Sequence, residues 1–174
     1  MAHLLGTSSD EASAAWRTRY DELSNDIRPF PFAKELVERL RSNGLKVALA
    51  TSSPSDLLRR AMRAAGIEGL IDAVTTADDV TSSKPDPAVF EVAMRMAGID
   101  PEFAIAVGDS VWDVKAARAA GIACVAVESG GFSRHELSEE GAVAVYRDVE
   151  ELWRQLSTSP LAGLALSSGR PPCR

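Results

Sequence analysis

Apolar positions along this chain recur at two periods, and their alternation from about residue 30 is the first structural signal. After Pro29-Phe30-Pro31, the residues Phe32, Leu36, Val37 and Leu40 share one face at helical spacing, and Asn43-Gly44 supplies a helix stop. The run Lys46-Val47-Ala48-Leu49-Ala50 then reads as a strand. Beyond Thr51-Ser52, Ser53 is the expected N-cap of a second helix with Pro54 at its first position. Leu57, Leu58, Ala61, Met62 and Ala65 form its apolar stripe up to Gly66, and Asp72-Ala73-Val74-Thr75-Thr76 is a short strand. A third helix starts at Asp86-Pro87, carries Val89, Phe90, Ala93 and Ala97, and stops at Gly98 before the strand Ala104-Ile105-Ala106-Val107. A fourth spans roughly Val111 to Ala120 and feeds Ala123 to Val127 after Gly121. Uninterrupted apolar strands separated by helices predict an α/β domain with a mostly parallel sheet covered on both faces.

The two ends depart from this rhythm. Residues 8–24 read as a helix capped by Ser8 or Ser9, with Ala12, Ala15, Trp16, Tyr20 and Leu23 apolar, and no strand precedes it. Residues 157–174 are small, polar and proline-containing, which predicts a disordered tail.

Composition narrows the field. A chain of 174 residues, 45% apolar, suffices for one domain with a sizeable core. Its formal charge of -6 repels polyanions and its Lys and Arg residues form no stripe, so nucleic acid is not an expected partner. No apolar run approaches a membrane span or a signal peptide, so no membrane association is expected. Cys124 lies inside an apolar run and Cys173 beside the C-terminus, a usage that fits a reducing, cytoplasmic setting rather than a disulfide.

Three loops carry candidate chemistry, each at the strand edge where α/β sheets place their sites. In Thr51-Ser52-Ser53, hydroxyls and free backbone N–H groups can converge on an anion, although Ser and Thr are also plain helix caps. In Ser83-Lys84-Pro85-Asp86-Pro87 the prolines brace a lysine that can be held toward a phosphate or carboxylate, or simply solvated. In Gly108-Asp109-Ser110-Val111-Trp112-Asp113, two carboxylates four residues apart can face one point. They suit Mg²⁺, or else complement a helix N-terminus.

In this order and spacing the loops resemble the haloacid dehalogenase (HAD) superfamily, in its phosphatase and β-phosphoglucomutase-like branch with a helical cap. Arg28-Pro29-Phe30-Pro31, Thr76-Ala77-Asp78-Asp79-Val80 and Gly130-Gly131 add to the resemblance, which covers residues 28–156. It implies a Rossmann-like core. Thr51, with Ser52, would bind the substrate phosphate together with Lys84, and Thr51 and Lys84 would be catalytic. Asp109 and Asp113 would hold Mg²⁺. Dehalogenases of the superfamily carry Ser-Asn where this chain has Gly108-Asp109 and use no metal, which favours the phosphatase branch.

One departure is large. The family's Asp-x-Asp-Gly-Thr motif, whose first Asp is the nucleophile, is absent, and no Asp-x-Asp occurs anywhere in the chain. The resemblance therefore implies that residues 1–27 are a remnant of the helical cap. Residues 28–156 would be a core lacking its first strand, which in the family lies between the strands ending at Ala50 and Val107. A fragment, a misplaced start and a chain that needs a partner all fit this pattern. The expectation is a Mg²⁺-dependent phosphate monoester hydrolase or sugar-phosphate mutase acting on a small phosphorylated metabolite, inactive as this chain. The alternative is a non-catalytic phosphate- and metal-binding or interaction module. Substrate and oligomeric state are not legible.

Overall fold

The computed structural model describes residues 9–23, 28–80 and 82–167, so Ser8, Cys173 and the expected tail beyond residue 167 lie outside the described residues. Helix α1 (Ser9–Leu23) is followed by α2 (Ala33–Ser42), β1 (Ala48–Leu49), α3 (Ser55–Ala65) and β2 (Ala73–Val74). Next come α4 (Ala88–Ala97), β3 (Ile105–Gly108), α5 (Val111–Ala119), β4 (Ala123–Val127), α6 (Arg134–Glu140), β5 (Ala144–Tyr146), α7 (Val149–Arg154) and α8 (Pro160–Ser167). This is an α/β, Rossmann-like fold.

All strand pairs are parallel, but they divide into two sheets: β1 with β2, and β3–β4–β5 in that spatial order. The apolar run of β4 explains how helices come to lie on both faces. Its Cys124 and Ala126 enter one buried cluster with Val89, Phe90, Val114, Ala117 and Leu137. Its Val125 and Val127 point the other way, into a cluster with Leu36, Tyr146, Leu152, Leu156 and Leu161. A strand buried on both faces needs no polar alternation, which is what its sequence shows.

Two expectations are corrected. The tail predicted from residue 157 is folded as far as residue 167, where a 3₁₀ turn at Leu156–Thr158 leads into α8. Leu161 is buried against the second cluster, and the Ser159 hydroxyl donates to the Leu156 carbonyl oxygen at 2.8 Å. Two leucines three residues apart, Leu161 and Leu164, suffice once Leu36 and Tyr146 offer a surface. The second correction concerns α3: its N-cap is Pro54, and no side chain caps it.

Candidate functional site

Within each sheet the strands run parallel, and Ala50 at the end of the β1 run, Val107 in β3 and Lys84 all line one cleft. The β3 loop is built around Ser110, which caps α5: its hydroxyl accepts from the Asp113 N–H, while the Asp113 carboxylate accepts from the Ser110 N–H at 3.0 Å and hydroxyl at 2.6 Å. The same carboxylate oxygen also accepts from the Asp109 N–H at 3.2 Å. Its other oxygen accepts from the Lys84 ammonium at 2.6 Å. Asp113 is only 8% exposed and Lys84 27%, so this ion pair is largely withdrawn from water. Lys84 also lies 5.5 Å from the centre of the Phe90 ring, which confines its ammonium further.

The titration behaviour follows from these contacts. Burial pushes the Asp113 carboxyl up, but the hydrogen bonds from Lys84 and Ser110 outweigh it and hold the group below the usual aspartate range. For Asp109, burial and then the neighbouring Asp113 charge raise the carboxyl above that range, with Lys84 only partly opposing them. Beneath the loop, burial pushes the Cys124 thiol up to about 12, which makes it an inert core side chain.

Two glycines permit the close packing around Asp109. A Cβ on Gly130 would sit 2.1 Å from the Asp109 carbonyl oxygen, and one on Gly108 would sit 2.3 Å from the Asp113 Cβ. No other residue fits either place.

The structure brings Lys84, Asp109 and Asp113 together. Thr51 and Ser52 follow β1, on the other side of the cleft that separates the two sheets. There the buried Thr75 hydroxyl accepts from the Thr51 N–H and donates to its carbonyl oxygen, both at 2.9 Å. The Thr51 hydroxyl donates to Ser53 Oγ and accepts from the Ser53 N–H, both at 3.0 Å. Ser110 and Thr75 carry much of this order and were not among the residues the motifs singled out. The Ser-x-x-Asp spacing of a capping box was the available signal for Ser110; Thr75 had none.

Among the described residues no group of three or more His, Cys, Asp or Glu side chains is arranged to hold a metal ion. Asp113 Oδ2 accepts three hydrogen bonds and Oδ1 one, so the carboxylate of Asp109 and the remaining lone pair of Asp113 Oδ1 are the loop's available oxygen donors. One or two hard oxygen donors fit Mg²⁺, which keeps several waters and completes its shell from substrate phosphate.

Comparison with known proteins places this geometry in a class. A family model for haloacid dehalogenase-like hydrolases matches residues 3–127, and the chain belongs to that family. It is 32% identical to phosphoglycolate phosphatase 1 of Pseudomonas aeruginosa over 149 residues, covering 85% of this chain and 55% of that protein. A phosphoglycolate phosphatase of Rhodospirillum rubrum is 30% identical over 159 residues, covering 87% of this chain and 66% of that one. The chain thus spans between about half and two thirds of the length of these curated relatives. Among solved structures, a hydrolase from Pseudomonas syringae superposes with a TM-score of 0.80 at 31% identity, covering 88% of this chain and 72% of that one. CbbY from Rhodobacter sphaeroides, solved in complex with phosphate, gives 0.69 at 28% identity, covering 82% and 65%. Among the described residues no helix is long and apolar enough to cross a membrane.

Proposed function

We propose that this chain carries the phosphate- and Mg²⁺-binding part of a cytoplasmic phosphate monoester hydrolase or sugar-phosphate mutase that acts on a small phosphorylated metabolite. The observation that carries the reading is the Lys84–Asp113–Ser110 network beside Asp109 at the C-terminal end of β3. Lys84, held by Asp113, would donate to a phosphoryl oxygen. The backbone N–H groups and hydroxyls of Thr51 and Ser52 would receive the same phosphoryl group from across the cleft. Asp109 would hold the metal, whose bound charge would neutralise that developing on the phosphoryl oxygens. Asp113 would position Lys84 and the loop. Residues 1–27 would belong to the cap and 28–156 to the core.

None of these side chains is placed both to attack phosphorus and to protonate a leaving oxygen, so the chain by itself should bind without turnover. The absence of any Asp-x-Asp from the sequence favours, as a second reading, a module that only binds. Calorimetry with inorganic phosphate in the presence of Mg²⁺ tests the site. Binding should weaken about tenfold or more in Lys84→Ala and Asp109→Asn, because each loses a charge-assisted contact worth roughly 1.5–3 kcal/mol. Hydrolysis of p-nitrophenyl phosphate at ordinary enzyme rates by the unmodified chain would overturn the assignment of roles.

A further inference from the structure

Of the large apolar side chains that stay exposed among the described residues, Trp112 is the one aromatic in the loop of Asp109 and Asp113, with 47% of its surface open to solvent. A single exposed apolar side chain is ordinary on a protein surface, so its meaning depends on where it stands. Trp112 follows Asp109 by three residues, which keeps the two Cα atoms within about 11 Å of each other. It occupies the first turn of α5, between the capping Ser110 and the buried Asp113.

Helix geometry fixes the side to which the indole turns. Asp113, Val114, Ala116 and Ala117 are buried, which leaves Trp112 and Lys115, three residues apart, together on the outer face of α5. Side chains on a helix lean toward its N-terminus and cover the turn before their own Cα. For Trp112 that turn is the segment Asp109–Val111. The indole therefore overhangs the edge at which the Asp109 carboxylate stands and Lys84 meets Asp113.

The ring is also held in place. The Lys115 ammonium lies 5.0 Å from the centre of the Trp112 ring. That ammonium is itself paired with Glu140 of α6 at 3.3 Å. One face of the ring is thus covered by an anchored cation, and the opposite face is left to solvent. A flat apolar surface fixed in advance loses little freedom when a ligand settles on it.

We propose that Trp112 determines specificity by stacking its open face on a ring carried by the group esterified to the phosphate. A phosphoryl group drawn to Lys84 and to a metal at Asp109 brings its ester oxygen to this edge, and a ring beyond that oxygen would lie over the first turn of α5. Stacking on an aromatic side chain strengthens binding about three- to tenfold beyond area burial. A short acyclic ester cannot cover the indole and gains none of this. The inference rests on the reading of Lys84 and Asp109 as a phosphate and metal site, and adds to it the class of ester.

The test compares phenyl phosphate with ethyl phosphate by calorimetry, using the full chain and Mg²⁺. Phenyl phosphate should bind about three to ten times more tightly. Trp112→Ala should bring the ratio of the two affinities near one, and Trp112→Phe should keep most of it. In the unmodified chain, the indole N–H resonance that Trp112→Phe removes should shift with phenyl phosphate and stay in place with ethyl phosphate, which decides the matter even if Trp112→Ala fails to fold. Equal binding of the two esters by the unmodified chain, or a preference that survives Trp112→Ala, would overturn the proposal. Failure of inorganic phosphate and both esters to bind would overturn the phosphate site itself, and the inference with it.

Discussion

The β3–β4–β5 sheet and the β1–β2 pair start from similar sequence and end differently. Ala123–Val127 forms a strand along its whole length, with four of its five residues buried. The run Lys46–Ala50, apolar after its first residue, forms a strand only at Ala48–Leu49, and both residues are half-buried. Among the described residues β4 has a neighbour on each edge, whereas β1 has one on a single edge. An apolar run specifies that a segment can be a strand; how much of it becomes one depends on whether both edges are paired.

The largest expected effect breaks this comparison directly. Leu137, fully buried over β4, should cost about 2–5 kcal/mol when changed to Ala, because the packed cluster cannot close over the cavity. Leu49→Ala in the half-buried β1 should cost roughly half as much or less. Chemical denaturation of both variants measures this. Equal costs would mean that the two sheets are equally well packed. Hydrogen exchange of the unmodified chain should agree, with Val125 and Ala126 amides opening only globally and Ala48 and Ala50 opening locally.

The second effect sharpens the comparison at the edge where the two sheets present their loops. Asp113→Ala removes the partner of Lys84 and the cap of Ser110 together, and should cost about 2 kcal/mol. Phosphate affinity should fall nearly as far as in Lys84→Ala, and the double variant should be no weaker than Lys84→Ala alone, because Asp113 acts through the lysine. Additive losses would show that Asp113 contacts the ligand or the metal itself.

The same contrast explains what was legible in the sequence. Helical stripes and their stops at Gly66, Gly98 and Gly121 depend on neighbours within one turn, and the structure ends the helices there or within two residues. The Gly108–Asp113 loop was visible as a motif because its chemistry is local. Its wiring was not: Lys84 lies 29 residues from Asp113, and only the fold brings this lysine onto the carboxylate. Helix α8 was missed for the same reason, since Leu161 is apolar among small and polar residues and gains its place from Leu36, Val127 and Tyr146. Ser133 and Glu136 form a reciprocal capping box at the start of α6, a signal that is local in the sequence.

The smallest effect probes the weaker pair of strands through charge. Asp72 precedes β2; its carboxylate accepts from Arg41 at 2.5 Å and from the Val47 N–H at 2.8 Å, linking α2, the approach to β1 and the approach to β2. Hydrogen bonds from Arg41 and then Val47 hold this carboxyl below the usual aspartate range, against a smaller opposing effect of burial. A carboxyl lowered by folding contributes stability that is fully present above the unfolded-state value, near 4, and is lost as the pH falls through the lower folded value. Asp72→Asn should therefore cost up to about 1 kcal/mol at pH 7, since the pair is partly exposed and solvent weakens it. The difference from the unmodified chain should shrink as the pH drops below about 4. Because the amide oxygen can still accept from Val47, a residual pH-independent part of the bond survives, so the local strand should persist. Thermal melts of both proteins from pH 7 down to pH 3 measure the convergence. A gap that stays constant over that range would mean that Asp72 acts through shape alone, and that charge does nothing to hold β1 and β2 together.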